Sequence, residues 1–111
     1  MYAIFLWSDK MSLTSYVQDK HLTIELTGEI DHHGARGLIE GIDARIETYL
    51  PVACSLDLRG VSFMDSSGIA VVLSAARRMK ELGGTLELTN LPPQVRRVLS
   101  AANIEKITRI V

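Results

Sequence analysis

A mixed α/β domain with helices mainly on one face of its sheet follows from three observations. Segments of strict polar/apolar alternation recur along the chain, stretches of helical periodicity lie between them, and each alternating segment keeps one polar face. Strands interleaved with helices define the α/β class. A sheet covered on both faces has strands that read as continuous apolar runs, whereas a sheet covered on one face alternates. Four to five strands are expected here.

Thr14 to Gln18 is a candidate first strand. His21 to Thr27 alternates cleanly, with Leu22, Ile24 and Leu26 opposed to His21, Thr23, Glu25 and Thr27. Ala53 to Leu58 sets Cys54, Leu56 and Leu58 against Ala53, Ser55 and Asp57, and Thr85 to Thr89 does the same with Leu86 and Leu88. Period two is the mark of a half-buried strand. A first helix is predicted from Ala35, Leu38, Ile39, Ile42, Ile46 and Tyr49, stopped by Pro51. A second is predicted from Ile69, Val72, Leu73, Ala76 and Met79, with Arg77, Arg78 and Lys80 outward and Gly83-Gly84 as the stop. A third opens at Pro92-Pro93, where a missing N–H costs nothing, and carries Val95, Val98, Leu99 and Ala102 inward, with Asn103 capping its end. Lys106 to Val111 is a candidate last strand.

The 111 residues suit one domain, and 47% hydrophobic with 23% charged residues suits a soluble globule. Twelve basic residues face 13 acidic ones, which argues against a nucleic-acid partner, since phosphate backbones demand a basic surplus. The single cysteine, Cys54, lies in an alternating apolar stretch and is expected to be a buried thiol. The apolar run Met1 to Trp7 is too short to span a bilayer and lacks the flanks of a signal peptide. Residues 1–10 stand apart as an extension, either an arm or edge strand, or residues ahead of a true start at Met11.

Two segments carry candidate chemistry. In Met64-Asp-Ser-Ser-Gly68 the chain runs from a strand into a helix. Asp65 is placed to accept first-turn N–H groups, Ser66 falls near the first helical position, and Gly68 permits close approach of another backbone or a partner. From these residues alone a polar cap explains the segment. In Thr27-Gly-Glu-Ile-Asp-His-His33 the adjacent histidines raise the question of a metal, but neighbouring residues rarely face one ion and no third ligand is spaced to help. A Ser66–His32–Asp31 hydrolase triad lacks its Gly-x-Ser-x-Gly elbow. No phosphate-binding or dinucleotide glycine fingerprint occurs, and no metal or cofactor is expected.

Together, Leu26-Thr-Gly-Glu-Ile-Asp-His-His33, Val61-Ser-Phe-Met-Asp-Ser-Ser-Gly-Ile69, Gly83-Gly84 and Pro93-Gln-Val-Arg-Arg-Val-Leu99 resemble the bacterial anti-anti-sigma factor family over residues 11–111. The Glu-Ile-Asp-His-His box is most similar to the sporulation branch that acts on the sigma-F pathway, with stress-response members close by. The resemblance implies a STAS fold and a cytoplasmic, non-enzymatic protein, monomeric when free. It implies an unphosphorylated form that binds an anti-sigma factor, itself a serine kinase, and releases the sigma factor. Phosphorylation at Ser66 then switches binding off, and a PP2C-type phosphatase resets it. No nucleic acid or membrane is contacted directly. Glu29, Asp31, Asp65, Ser66, Ser67 and Gly68 are the expected partner-binding residues, with Asp31, and after it Glu29, pairing with a basic group of the kinase. The alternative is a STAS regulatory module of a non-sigma signalling or transport complex. Members of the family usually carry a further C-terminal helix. The N-terminal arm is expected to cover the sheet near the C-terminus in its place.

Overall fold

The computed structural model describes residues 2–8, as backbone, and residues 11–111. Met1, Asp9 and Lys10 of the expected extension lie outside the described residues. The elements run β1 (Tyr2–Ser8), β2 (Met11–Gln18), β3 (His21–Ile30), α1 (Ala35–Tyr49), β4 (Ala53–Met64), α2 (Ser67–Glu81), β5 (Thr85–Thr89), α3 (Pro93–Ala101), a 3-10 turn (Ile104–Lys106) and β6 (Arg109–Ile110). The sheet has six strands in the order β1-β2-β3-β4-β5-β6, one more than expected, because the arm forms an edge strand.

That order explains why the helices share one face. β1, β2 and β3 pair antiparallel, while β3, β4, β5 and β6 pair parallel. Each parallel step crosses over through a helix and advances in the same direction. Right-handed crossovers that never reverse direction deposit every helix on the same side. Leu22, Ile24 and Leu26 of β3 and Leu56 of β4 are buried there against Leu38, Ile42 and Ile46 of α1 in one core cluster. The odd positions of β3 point to the uncovered face, where the His21 Nε2 and the Ser55 Oγ lie 2.7 Å apart.

Several elements differ from expectation. β4 continues six residues past Leu58, because two register irregularities break its period without ending it. Glu25 pairs with Asp57 and Thr27 with Gly60, so Leu26 opposes two residues; Gly28 pairs with Val61 and Glu29 with Phe63, leaving Ser62 over. Each extra residue is a β-bulge that re-aims the strand, turning Leu58, Val61 and Met64 inward in turn. In α2 the buried residues are Gly68, Val71, Val72, Ala75 and Met79; Val72 and Met79 are as predicted, Ile69 and Ala76 are only partly buried against the core, and Leu73 is 38% exposed. Arg78, expected to point outward, reaches α1 instead, donating from Nε to Asp43 at 2.8 Å and pairing with Glu47. The expected last strand contracts to Arg109–Ile110. The arm does not cover the C-terminal end, because β1 and β6 are at opposite edges of the sheet.

The helix stops follow from their residues. α2 ends with Gly83 at φ 74°. The Gly84 N–H donates to Met79 O at 2.8 Å and the Gly83 N–H to Lys80 O at 3.0 Å, the paired bonds of a Schellman turn. Asn103 follows α3 at φ 55°, the left-handed position that Asn tolerates.

Cys54 is 1% exposed inside the core, and burial pushes its thiol up to about 12. A thiol with that value is almost wholly un-ionised at pH 8, and the thiolate is the reactive form. Native protein at pH 8 should resist iodoacetamide over a time in which the urea-unfolded chain is fully alkylated, as read by intact mass. Rapid native labelling would mean that the β3–β4 core opens readily.

Candidate functional site

The carboxyl ends of the two central parallel strands, β3 and β4, lie side by side and feed the starts of α1 and α2. In parallel sheets this edge is where loops can gather functional groups. The two ends are tied together by the Asp65 N–H, which donates to Ile30 O at 3.0 Å. That bond brings the loop Asp31-His32-His33-Gly34 against the turn Asp65-Ser66-Ser67.

Within the turn, Asp65 caps α2 as expected. Its Oδ1 accepts the Ser67 N–H at 2.8 Å and also the Ser67 hydroxyl. Ser66 already has helical dihedrals, φ −63° and ψ −18°, so it is the first residue of the helical turn. Three of the first-turn amides, those of Ser67, Gly68 and Ile69, already have acceptors. The Ser67 N–H is held by Asp65 Oδ1, the Gly68 N–H by Asp65 O at 3.0 Å, and the Ile69 N–H by Ser66 O at 3.1 Å. The Asp65 carboxyl is held below the usual carboxylate range, first by the Ser67 hydroxyl bond, against an opposing effect of burial, and then by the backbone N–H groups of Ser67 and His32 and the charge of His32.

The two serines of the turn are not equivalent. Ser67 is half-buried and its hydroxyl is committed to Asp65, whereas Ser66 is exposed and its side chain has no hydrogen bond among the described residues. Gly68 is buried, and the space a β-carbon would take is filled by the side chain of the chain's own Met64. Its lack of a side chain therefore serves internal packing. Asp31 is also engaged at home, since its Oδ1 accepts the His33 N–H at 3.0 Å and the Gly34 N–H at 3.2 Å, a local turn that leads into α1. Glu29 is half-buried and pairs in register with Phe63.

Two side chains beside the turn, Gln94 and Phe63, were not singled out from sequence, and His32 was weighed there only as a metal ligand or triad member. Gln94, at the start of α3, grips Met64 with both ends of its amide. Its Oε1 accepts the Met64 N–H at 2.9 Å and its Nε2 donates to Met64 O at 2.8 Å, as a neighbouring strand would. Only the presence of Gln94 in a segment resembling the family hinted at it. Phe63 is 43% exposed one residue before Met64, a large apolar surface next to a polar turn. His32 has its Nδ1 3.9 Å from Asp65 Oδ2. A groove of about 940 Å³ lies elsewhere, between α2, β5 and the C-terminal turn, and shares no residue with this site. Ser66 itself is exposed at the surface.

Two mutations test this frame. Gln94→Ala leaves both backbone groups of Met64 without their partners and should lower stability by about 1–3 kcal/mol, measured by urea denaturation. Gly68→Ala forces Met64 to shift and should cost a similar amount, about 1–3 kcal/mol. The Asp65 charge is tested with Asp65→Asn, which keeps a capping oxygen. Because folding lowers the Asp65 pKa, its stabilisation is present above the unfolded value and is lost as pH falls through the folded one. The stability gap between wild type and Asp65→Asn should be constant near neutrality and close progressively below about pH 4.

A family model described as "Mlab, STAS domain" matches residues 15–111. An anti-sigma F factor antagonist of Paenibacillus polymyxa is 32% identical over 89 residues, covering 80% of this chain and 76% of that protein. Among solved structures, an anti-sigma factor antagonist from Mycobacterium paratuberculosis superposes with a TM-score of 0.82 at 22% identity, over 92% of this chain and 86% of that one. The antagonist SpoIIAA in its unphosphorylated form superposes at 0.71 with 23% identity, over 100% of this chain and 88% of that one, and its phosphorylated form at 0.66. These superpositions bear on the fold, and the sequence matches on kinship: the chain belongs to the STAS domain family.

Proposed function

We propose that this protein is an anti-sigma factor antagonist, switched by phosphorylation of Ser66. In this reading the unphosphorylated turn binds an anti-sigma factor that is also a serine kinase, and the sigma factor is released. The observation that carries it is the contrast between the two serines: Ser66 is exposed with an uncommitted hydroxyl, while Ser67 is tied to Asp65. The name of the Paenibacillus relative supports the antagonist role, and SpoIIAA, which shares the fold, exists in phosphorylated and unphosphorylated forms.

The chemistry is a phosphoryl transfer. Ser66 Oγ attacks the γ-phosphorus of ATP, a new P–O bond forms, the bond to the β-phosphate oxygen breaks, and ADP leaves. The hydroxyl proton passes to a base supplied by the kinase. A PP2C-type phosphatase reverses the modification by delivering water to the same phosphorus. Nothing in this cycle asks the chain to catalyse anything. Its contribution is a rigid, exposed nucleophile that a partner can reach.

Phosphate adds about −1.5 to −2 charge at neutral pH, next to Asp65 and near Asp31 and Glu29. Burying that charge without a partner costs several kcal/mol, and each 1.4 kcal/mol is about tenfold in affinity. Phe63 supplies the apolar part of the same contact, and aromatic side chains of this kind dominate many interfaces.

The decisive experiment is intact-mass analysis after incubation with the cognate anti-sigma kinase and Mg-ATP. One phosphate on wild type and none on Ser66→Ala is expected. Absence of transfer by a demonstrably active kinase would favour the alternative, a STAS module of a non-sigma signalling or transport complex. In binding assays Ser66→Asp should weaken kinase affinity at least about tenfold relative to Ser66→Ala. Phe63→Ala should weaken it by about 1–2 kcal/mol with little loss of stability.

A further inference from the structure

We propose that His32 is the internal counter-ion of phosphate on Ser66, so that the phosphorylated form holds its phosphate against the β3–α1 loop in a pH-dependent manner. The inference rests on the phosphoacceptor reading of Ser66 and deepens it. A phosphate at the start of a helix is ordinarily met by free first-turn amides. Here the amides of Ser67, Gly68 and Ile69 already have acceptors, and Asp65, one residue away, is an anion. The added charge therefore needs a cation.

His32 is placed to supply it. Among the described residues it is the one basic side chain within 4.0 Å of the carboxylate of Asp65, one residue from Ser66, at 3.9 Å, and it is 74% exposed. The other charged and titratable groups around it have different engagements. In its own loop, His33 Nδ1 lies 3.9 Å from Asp31 Oδ1, and Asp31 also accepts the backbone N–H groups of His33 and Gly34. On α1, Arg36 is paired with Glu40 at 3.9 Å. On β3, Glu29 adds negative charge and so favours a cation nearby. The His32 and His33 rings are 4.0 Å apart, so a charge on both is disfavoured, and a phosphate on Ser66 decides which ring takes it.

The pH window follows from the sign of the effect. A phosphate raises the His32 pKa in the folded protein, so the pair contributes stability that is present at lower pH and is lost as pH rises through the raised value. At the acid end the phosphate itself becomes a monoanion near pH 6, which weakens the pair. The contribution therefore peaks between those two values.

Phosphoserine installed at position 66 during translation gives the phosphoprotein without a kinase. Histidine resonances followed by NMR from pH 5 to 9, with and without the phosphate, should differ more for His32 than for His33. The phosphorus resonance should titrate at higher pH in His32→Gln than in wild type. The melting temperature of the phosphoprotein should exceed that of its His32→Gln variant near pH 6.5, with the difference gone by pH 9. Identical histidine titrations with and without phosphate, or an unchanged phosphorus titration in His32→Gln, would overturn the proposal. The phosphoacceptor reading fails separately, if the kinase does not modify Ser66.

Discussion

Met64 is the residue on which the geometry of the site depends. Its backbone is clasped by the Gln94 amide from α3 and its side chain fills the space above Gly68 on α2. One residue therefore joins the end of β4 to the starts of two helices. Asp65 follows directly and is bonded through its N–H to Ile30 at the end of β3, so the path of the next three residues is set from both sides. The exposed Ser66 hydroxyl is the product of this restraint. A serine on a mobile loop would have to be ordered by its partner, and fixing a residue's backbone costs about 1–2 kcal/mol. Here the ordering belongs to the fold itself.

The one-sided sheet has a similar economy. A strand order that never reverses places α1, α2 and α3 on the same side, and it also brings the carboxyl ends of β3 and β4 together with two helix starts. The loop from β3 contributes Asp31, His32 and His33, and the turn from β4 contributes Asp65, Ser66 and Ser67. Both segments use an aspartate to fold back on their own amides. These aspartates are thus structural first. Any pairing of Asp31 with a basic group of the kinase must work through the oxygen that the His33 and Gly34 amides leave over.

The sequence made much of this legible because each feature has a local cause. Alternation in His21 to Thr27, Ala53 to Leu58 and Thr85 to Thr89 reflects burial of one face, and the cap at Asp65 follows from residue type two positions ahead of the amide it holds. What was hidden has non-local causes. β4 was cut short at Leu58 because its two bulges are defined only by the pairing with β3. In α2 the sequence identifies Val72 and Met79 but not Val71, because Val71, Val72 and Leu73 are all apolar and only the packing decides between them. Gln94 was missed because its target lies 30 residues away, and a glutamine at the first turn of a helix has no local signature for gripping a strand end. Gly68 reads from sequence as a place for another backbone or a partner to approach, whereas the space is filled by the chain's own Met64, which only the packing reveals.

These same features argue that phosphate on Ser66, in the switch proposed above, acts mainly on partner binding, with its effect on stability confined to the pairing with His32. Ser66 is exposed, the Ser67, Gly68 and Ile69 amides have acceptors other than the Ser66 hydroxyl, and Met64 is clasped by Gln94. A charge added there has little structure to disrupt. In the proposed switch an incoming partner meets a different surface, because covering Phe63 brings it onto the turn that follows. Apolar contact requires the removal of water from ground adjacent to a group of charge near −2, and these two demands conflict. The closer the partner packs on Phe63, the larger the penalty at Ser66. A tightly apolar interface therefore sharpens the switch, whereas a looser, wetter one would tolerate the phosphate.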